Sequence, residues 1–289
     1  MNSNKKEEHH LIKHNFVGLR FFLVPVKESL FTKPAENQQK LSWFIESFLQ
    51  NKDYNIKQNM EFAIRITQSD GAMYFGKISR KRIFDIREKT PLDIEDKKEE
   101  DWPYLQFICN TDLSVQLLVI EHKTNFGFSI DILAKVLAEL ANQSLFKYGY
   151  AATFEPIVSE KEFWHIVEEA EGIYSLTFHL TSPNLFGASS KANEGLRDLQ
   201  KLYNNNRVSI SLYNDMANLK IPKDLIDSYR EYADEGGGDW KITTKKARGK
   251  RTHKSADKAR KITLESESDE SSFEILKEAM QQLLRLMRR

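Results

Sequence analysis

The order of apolar and polar positions divides this chain into strands and helices before any chemistry is considered. Phe16 to Val26 is an apolar run of strand length, interrupted by Arg20 and Pro25. Gln39 to Gln50 then places Leu41, Phe44, Ile45, Phe48 and Leu49 on one helical face. Met60 to Thr67 alternates, Ser69-Asp70-Gly71 turns, and Met73 to Ile78 follows, which predicts a β-hairpin. Glu88 to Asp101 carries Pro91 and dense charge and reads as an exposed linker. Tyr104 to Cys109 and Val115 to Glu121 are nearly continuous in apolar character, as in strands buried on both faces. Ser129 to Gln143 predicts a helix with Ile132, Leu133, Val136, Leu137 and Leu140 inward.

The second half begins with a strand from near Tyr148 to Glu155-Pro156. Ser159 and Glu162 have the spacing of a capping box, and Phe163, Ile166, Val167 and Ala170 form the buried face of the helix that follows. In the next strand Tyr174, Leu176, Phe178 and Leu180 alternate with Ser175, Thr177, His179 and Thr181, so one face is core and the other polar. A break at Ser182 to Gly187, a helix from Ser190 to Tyr203 with Ala192, Leu196, Leu199 and Leu202 on one side, and a strand from Arg207 to Tyr213 come next. Leu219 to Ile221 is a candidate partner strand, and Pro222 starts a helix that reaches Gly236-Gly237-Gly238. Phe273, Leu276, Met280, Leu283 and Met287 draw a narrow stripe on a last helix, suited to docking on the body or to pairing with a second copy. The sum is an α+β protein: two α+β units with mixed or antiparallel sheets, a basic β-hairpin and a C-terminal helix. The divisions fall at 1–14 (a flexible tail), 15–145, 146–236 and 237–289 (hairpin and final helix).

A chain of 289 residues with 40% hydrophobic and 11% aromatic content can bury real cores. Its net charge of +1 conceals segregation. Between Trp240 and Leu264, ten Lys and Arg residues face one acid, Asp257. Lys241-Ile242-Thr243 and Lys261-Ile262-Thr263 have the same strand-like composition, which predicts two short strands bracketing a basic loop. Ammonium and guanidinium groups so crowded stay in water or meet an anion. A polyphosphate chain suits them, because each neutralised phosphate releases a condensed counterion. The nucleic-acid-binding candidates are Lys245, Lys246, Arg248, Lys250, Arg251, Lys254, Lys258 and Arg260, with DNA favoured. The plainer alternative is that these lysines solubilise a hairpin or pair with Glu265, Glu267, Asp269 and Glu270.

The single Cys109, in an apolar run, excludes an internal disulfide framework and a Cys-rich zinc site. His9, His10 and His14 lie in the tail without acids in ligand register, and no catalytic residue, metal ligand or cofactor motif is assigned. The N-terminal stretch has no apolar signal core, so a cytoplasmic location is expected. The nearest approach to catalysis is Asp239-x-Lys241, which fits the end of a metal-dependent nuclease pattern with Glu235 or Asp234 as an earlier ligand. A metal-dependent nuclease is therefore one alternative function. The other is a protein-interaction module whose basic loop meets an acidic partner.

Trp102-Pro103-Tyr104-Leu105, the second apolar strand and helix after it, Glu155-Pro156, and the alternating strand that runs into Pro183-Asn184-Leu185-Phe186-Gly187 follow one another in an order that resembles the lambda-type RexA phage exclusion proteins. The resemblance spans about residues 60 to 190 and does not extend to the basic stretch or the last helix. It implies a cytoplasmic, homodimeric, DNA-binding component of an antiphage defence or phage-exclusion system, acting through a small membrane protein as effector. KwaB of the Kiwa antiphage system is a functional analogue. No catalytic residues come with it.

Overall fold

The computed structural model of the chain describes residues 11–26, 35–56, 60–89, 91, 93–181, 191–203, 205–267 and 271–287. The Ser182 to Gly187 break, His9 and His10 lie outside them.

One long strand, β1 (Ile12–Pro25), organises the larger of two main sheets. Its alternation sends Val17, Leu19, Phe21 and Leu23 into one core, and Phe16 into another on the opposite face. Both faces are covered, which is why the run is apolar almost without interruption. The first core lies under α1 (Asn37–Phe48) and α2 (Ile130–Leu145). The second lies under α6 (Ser272–Met287), whose Leu276, Ala279, Met280 and Leu283 meet Leu117, Val119, Ile262 and Leu264. The C-terminal stripe is thus spent on the body of its own chain.

The order in this sheet is β14 (Lys261–Ser266), β1, β8 (Leu117–Glu121), β7 (Tyr104–Asn110), β4 (Met73–Arg80), β3 (Met60–Asp70) and β2 (Lys52–Ile56). The length of β1 lets one of its edges take two partners, β14 along 12–17 and β9 (Tyr150–Pro156) along 19–25. Strands therefore join this sheet from beyond residue 145, and β1 itself begins inside the expected tail. Sheet membership does not follow the divisions at 14, 145 and 236.

The second sheet, β11 (Arg207–Tyr213), β10 (Ile173–Thr181), β12 (Gly238–Lys246) and β13 (Gly249–Lys254), is antiparallel throughout. Phe178, Leu180, Trp240 and Ile242 on one face pack against α3 (Glu160–Glu169), α4 (Lys191–Tyr203) and α5 (Lys223–Tyr232). The basic stretch is no loop between twin strands: Lys241-Ile242-Thr243 lies in β12, paired with β13, whereas Lys261-Ile262-Thr263 lies in β14 on the other sheet. Residues 233–237 link α5 to β12 in a wide turn. Gly236 has φ 88°, and a Cβ there would come within 2.6 Å of Arg20 Cβ. At Gly238 a Cβ would sit 2.2 Å from the His179 carbonyl oxygen. Only glycine permits both approaches: the first brings the turn against β1 and β9, and the second seats the start of β12 against β10.

Several local expectations change. The charged 88–101 stretch forms a ribbon of β5 (Arg82–Lys89) and β6 (Ile94–Asp101), because only Lys81 separates β4 from β5 and the β4–β7 ladder continues outward in backbone pairing. Leu219 to Ile221 is not a strand; the one bridge there joins Asn218 to Ile173. Ser159 makes no side-chain cap to α3, since its hydroxyl accepts from Arg260 at 3.4 Å. Ile132, Leu199 and Leu202 are exposed rather than inward.

Candidate functional site: an open basic sheet face and its cleft

Residues directly opposite one another in an antiparallel ladder share a face. The register therefore gathers Arg207, Ser209, Ser211 and Tyr213 of β11, Thr181, His179, Thr177 and Ser175 of β10, Asp239, Lys241, Thr243 and Lys245 of β12, and Lys254, Thr252 and Lys250 of β13. This is the face turned away from α3, α4 and α5. Side-chain hydrogen bonds tile it: His179 Nδ1 with Ser209 at 3.0 Å, Ser211 to Thr177 at 3.2 Å, and Thr243 with Thr252 at 3.4 Å. Hydroxyls satisfied in this way leave the long cationic side chains as what protrudes.

Lys241 stands opposite Lys254, and Lys245 opposite Lys250. Like charges directly across a ladder are destabilising, so the fold carries two such pairs at a cost. All four side chains are exposed, and none forms an ion pair among the described residues. Lys250 instead lies 4.1 Å from the centroid of the Tyr174 ring. Arg248 occupies the turn. Lys246 and Arg251 point to the other face, where they line a groove with Glu169 and Glu171 at the end of α3. Lys258 pairs with Glu162 at 2.7 Å, and Arg260 reaches Ser159. The eight candidates thus divide: Lys245, Lys250 and Lys254 on the open face, Arg248 at its tip, two behind it, and two tied to α3.

Where the open face meets the larger sheet, a cleft of about 320 Å³ is lined by residues including Asp131, Lys135, Thr153, Glu155, His179, Arg207, Asp239, Lys241 and Lys254. Glu155, 8% exposed, accepts from Arg207 at 3.2 Å. Burial pushes its carboxyl up to about 7, with the charge of Asp239 adding to the effect. Burial also raises Asp239, while His179 and Arg207 oppose the shift. Asp234 and Glu235 do not line this cleft. Both Asp234 carboxylate oxygens are engaged, by Arg230 at 2.9 Å and by the Trp240 indole at 3.0 Å, so its role is structural. Burial raises Glu235, and Arg20 pulls it back. Among the described residues no three His, Cys, Asp or Glu side chains converge as a ready metal cage.

Arg207, Lys241 and Glu155 were not among the candidate binding residues. The available signal was the alternation of β10, which marked a polar face; extending it to β11 and β12 finds Arg207 and Lys241. Glu155 had none, because it comes from the other sheet.

Fold and site together define an α+β protein with an open, lysine-bearing antiparallel sheet face. No protein-family model, curated protein or solved structure matches the chain. Among the described residues no helix is long and apolar enough to cross a membrane.

Proposed function

We propose that the chain binds nucleic acid, DNA by preference, without sequence specificity, through the open face of the β11-β10-β12-β13 sheet and the β12–β13 hairpin. The observation that carries the reading is the pair of opposed lysines, Lys241 with Lys254 and Lys245 with Lys250. Lysines on an edge strand discourage sheet-to-sheet pairing, which accounts for β13. It does not account for lysines on β12, an interior strand, facing those of β13. A phosphate chain relieves both repulsions at once and releases counterions. Lysine contacts to phosphates position a duplex and carry no sequence information.

The biological setting belongs to the same proposal. The RexA-like order of features favours a cytosolic antiphage-defence or phage-exclusion component that works as a homodimer through a membrane effector. Because α6 is docked on its own sheet, dimerisation uses another surface. The binding test is fluorescence anisotropy on a random duplex between 50 and 300 mM salt. A steep salt dependence supports the reading, and a flat response removes it. Affinity purification from phage-challenged cells tests the setting: a small multi-span membrane protein is the expected companion, and an acidic soluble protein in stoichiometric complex, with no DNA shift, supports the interaction-module alternative.

A further inference from the structure

The basic face ends at two carboxylates that work against it. Asp239 and Glu155 sit where a polyanion would pass, and their negative charge weakens its binding. Asp239 is partly buried and makes no hydrogen bond or ion pair among the described residues. Glu155 uses one oxygen, Oε1, for Arg207. Thr153, two residues earlier on the same strand face, lines the same cleft, and its hydroxyl is buried without a partner. Oxygens of three side chains on two sheets are therefore available around one cavity, beside a surface of the opposite sign.

We propose that Glu155 and Asp239 bind a divalent cation of the Mg²⁺ class and, with Lys241, form a phosphodiester-hydrolysing centre at the end of the open face; this rests on the nucleic-acid reading above. Mg²⁺ keeps several waters and is commonly held by one or two carboxylates together with substrate phosphate, so a full protein cage is not required. Lys241 follows Asp239 by two residues and projects from the same sheet face, next to the position such a cation occupies. A water on the cation attacks phosphorus, with Lys241 stabilising the hydroxide character that develops. The P–O bond to the leaving sugar oxygen breaks, the water's proton passes to solvent, and the leaving alkoxide takes a proton from solvent. The products are a phosphomonoester and an alcohol, with no change in oxidation state. The upstream ligand thus comes from β9, on the other sheet, and not from the Asp234-Glu235 pair beside Asp239.

The test is calorimetric titration of Mn²⁺ into the full chain, alongside nicking of supercoiled plasmid with Mg²⁺ or Mn²⁺. Wild type is expected to take up one Mn²⁺ and to nick plasmid. D239N and E155Q should each lose about tenfold or more in Mn²⁺ affinity, the scale that even outer-shell partners of a metal set. Lys241→Met should bind Mn²⁺ at least as tightly while nicking falls by roughly 100-fold or more. In EDTA, D239N should bind duplex roughly twofold more tightly, because a negative charge has left the face, and this opposite sign separates loss of the site from loss of the fold. No Mn²⁺ uptake, equal uptake by all variants, or uptake without nicking overturns the inference. Duplex binding without Mn²⁺ uptake sinks this inference alone, whereas failure to bind duplex sinks the reading beneath it.

Discussion

Replacing Lys245 and Lys254 by serine should move binding and stability in opposite directions. Each substitution removes one member of an opposed lysine pair and spares Lys250, which is engaged with Tyr174. Relief of like-charge repulsion contributes roughly 0.2–1 kcal/mol per pair. At about 2–4 °C per kcal/mol for a chain of this size class, the double variant should melt on the order of 1–8 °C higher. On the proposed reading the same change removes two phosphate contacts. If Lys241, Lys245, Lys250, Lys254 and Arg248 engage about five phosphates, as proposed, wild type should show a slope of log affinity against log salt near −4.5, and the double variant near −2.7. If counterion release is the whole loss, affinity at 0.1 M salt falls roughly sixtyfold. Anisotropy titrations over a salt series and thermal unfolding in the same buffer measure both quantities. An unchanged slope, or a variant less stable than wild type, would refute the reasoning. Loss of affinity through misfolding cannot mimic a higher melting temperature.

Serine at Lys258 and Arg260 should leave the salt slope within about 0.5 of wild type, because those cations are held by Glu162 and Ser159; a drop near 2 in the same titration counts against the assignment to one face. Asp234→Ala takes one carboxylate from the 2%-exposed Arg230, which keeps Asp227 at 3.0 Å, and removes the acceptor of the buried Trp240 indole, so denaturant unfolding should record a loss of about 1–3 kcal/mol. Leu283→Ala, at a fully buried contact between α6 and the larger sheet, should cost about 2–5 kcal/mol, while the sedimentation coefficient of the folded protein stays unchanged. Glu155 titrates near 7 when folded against an ordinary 4.5, so folding is favoured most below the lower value and loses stability as pH rises to the higher. At about 1.4 kcal/mol per pKa unit that loss is on the order of a few kcal/mol, and urea titrations from pH 4.5 to 8 should show it in wild type and not in E155Q.

Where pairing is local, the pattern along the chain was enough. The β3–β4 hairpin, the buried β7 and β8, and the two-faced β10 all follow from alternation and turn chemistry within a few residues. What alternation cannot supply is the partner. That β9 and β14 share one edge of β1 depends on contacts more than a hundred residues apart, and nothing in Tyr150–Pro156 distinguishes the first sheet from the second. The site divides along the same line. Crowding of Lys and Arg was visible, but which of them remain open depended on α3 supplying Glu162 and Ser159 to two of them, and on a ladder register that turned Lys246 and Arg251 away. The ribbon at 82–101 failed for a related reason. Its side chains are as polar as a linker's, and it is a strand pair only because β4 and β7 deliver its two ends already in register.

The central claim is that the open sheet face is the nucleic-acid surface, and lysine footprinting by acetylation with mass spectrometry, with and without a random duplex at 50 mM salt, tests it most directly. Protection should concentrate on Lys241, Lys245, Lys250 and Lys254, while Lys97 and Lys98 of the exposed β5–β6 ribbon react equally in both states. Equal reactivity of all four lysines under conditions where duplex is bound, or protection centred on the ribbon, would contradict it.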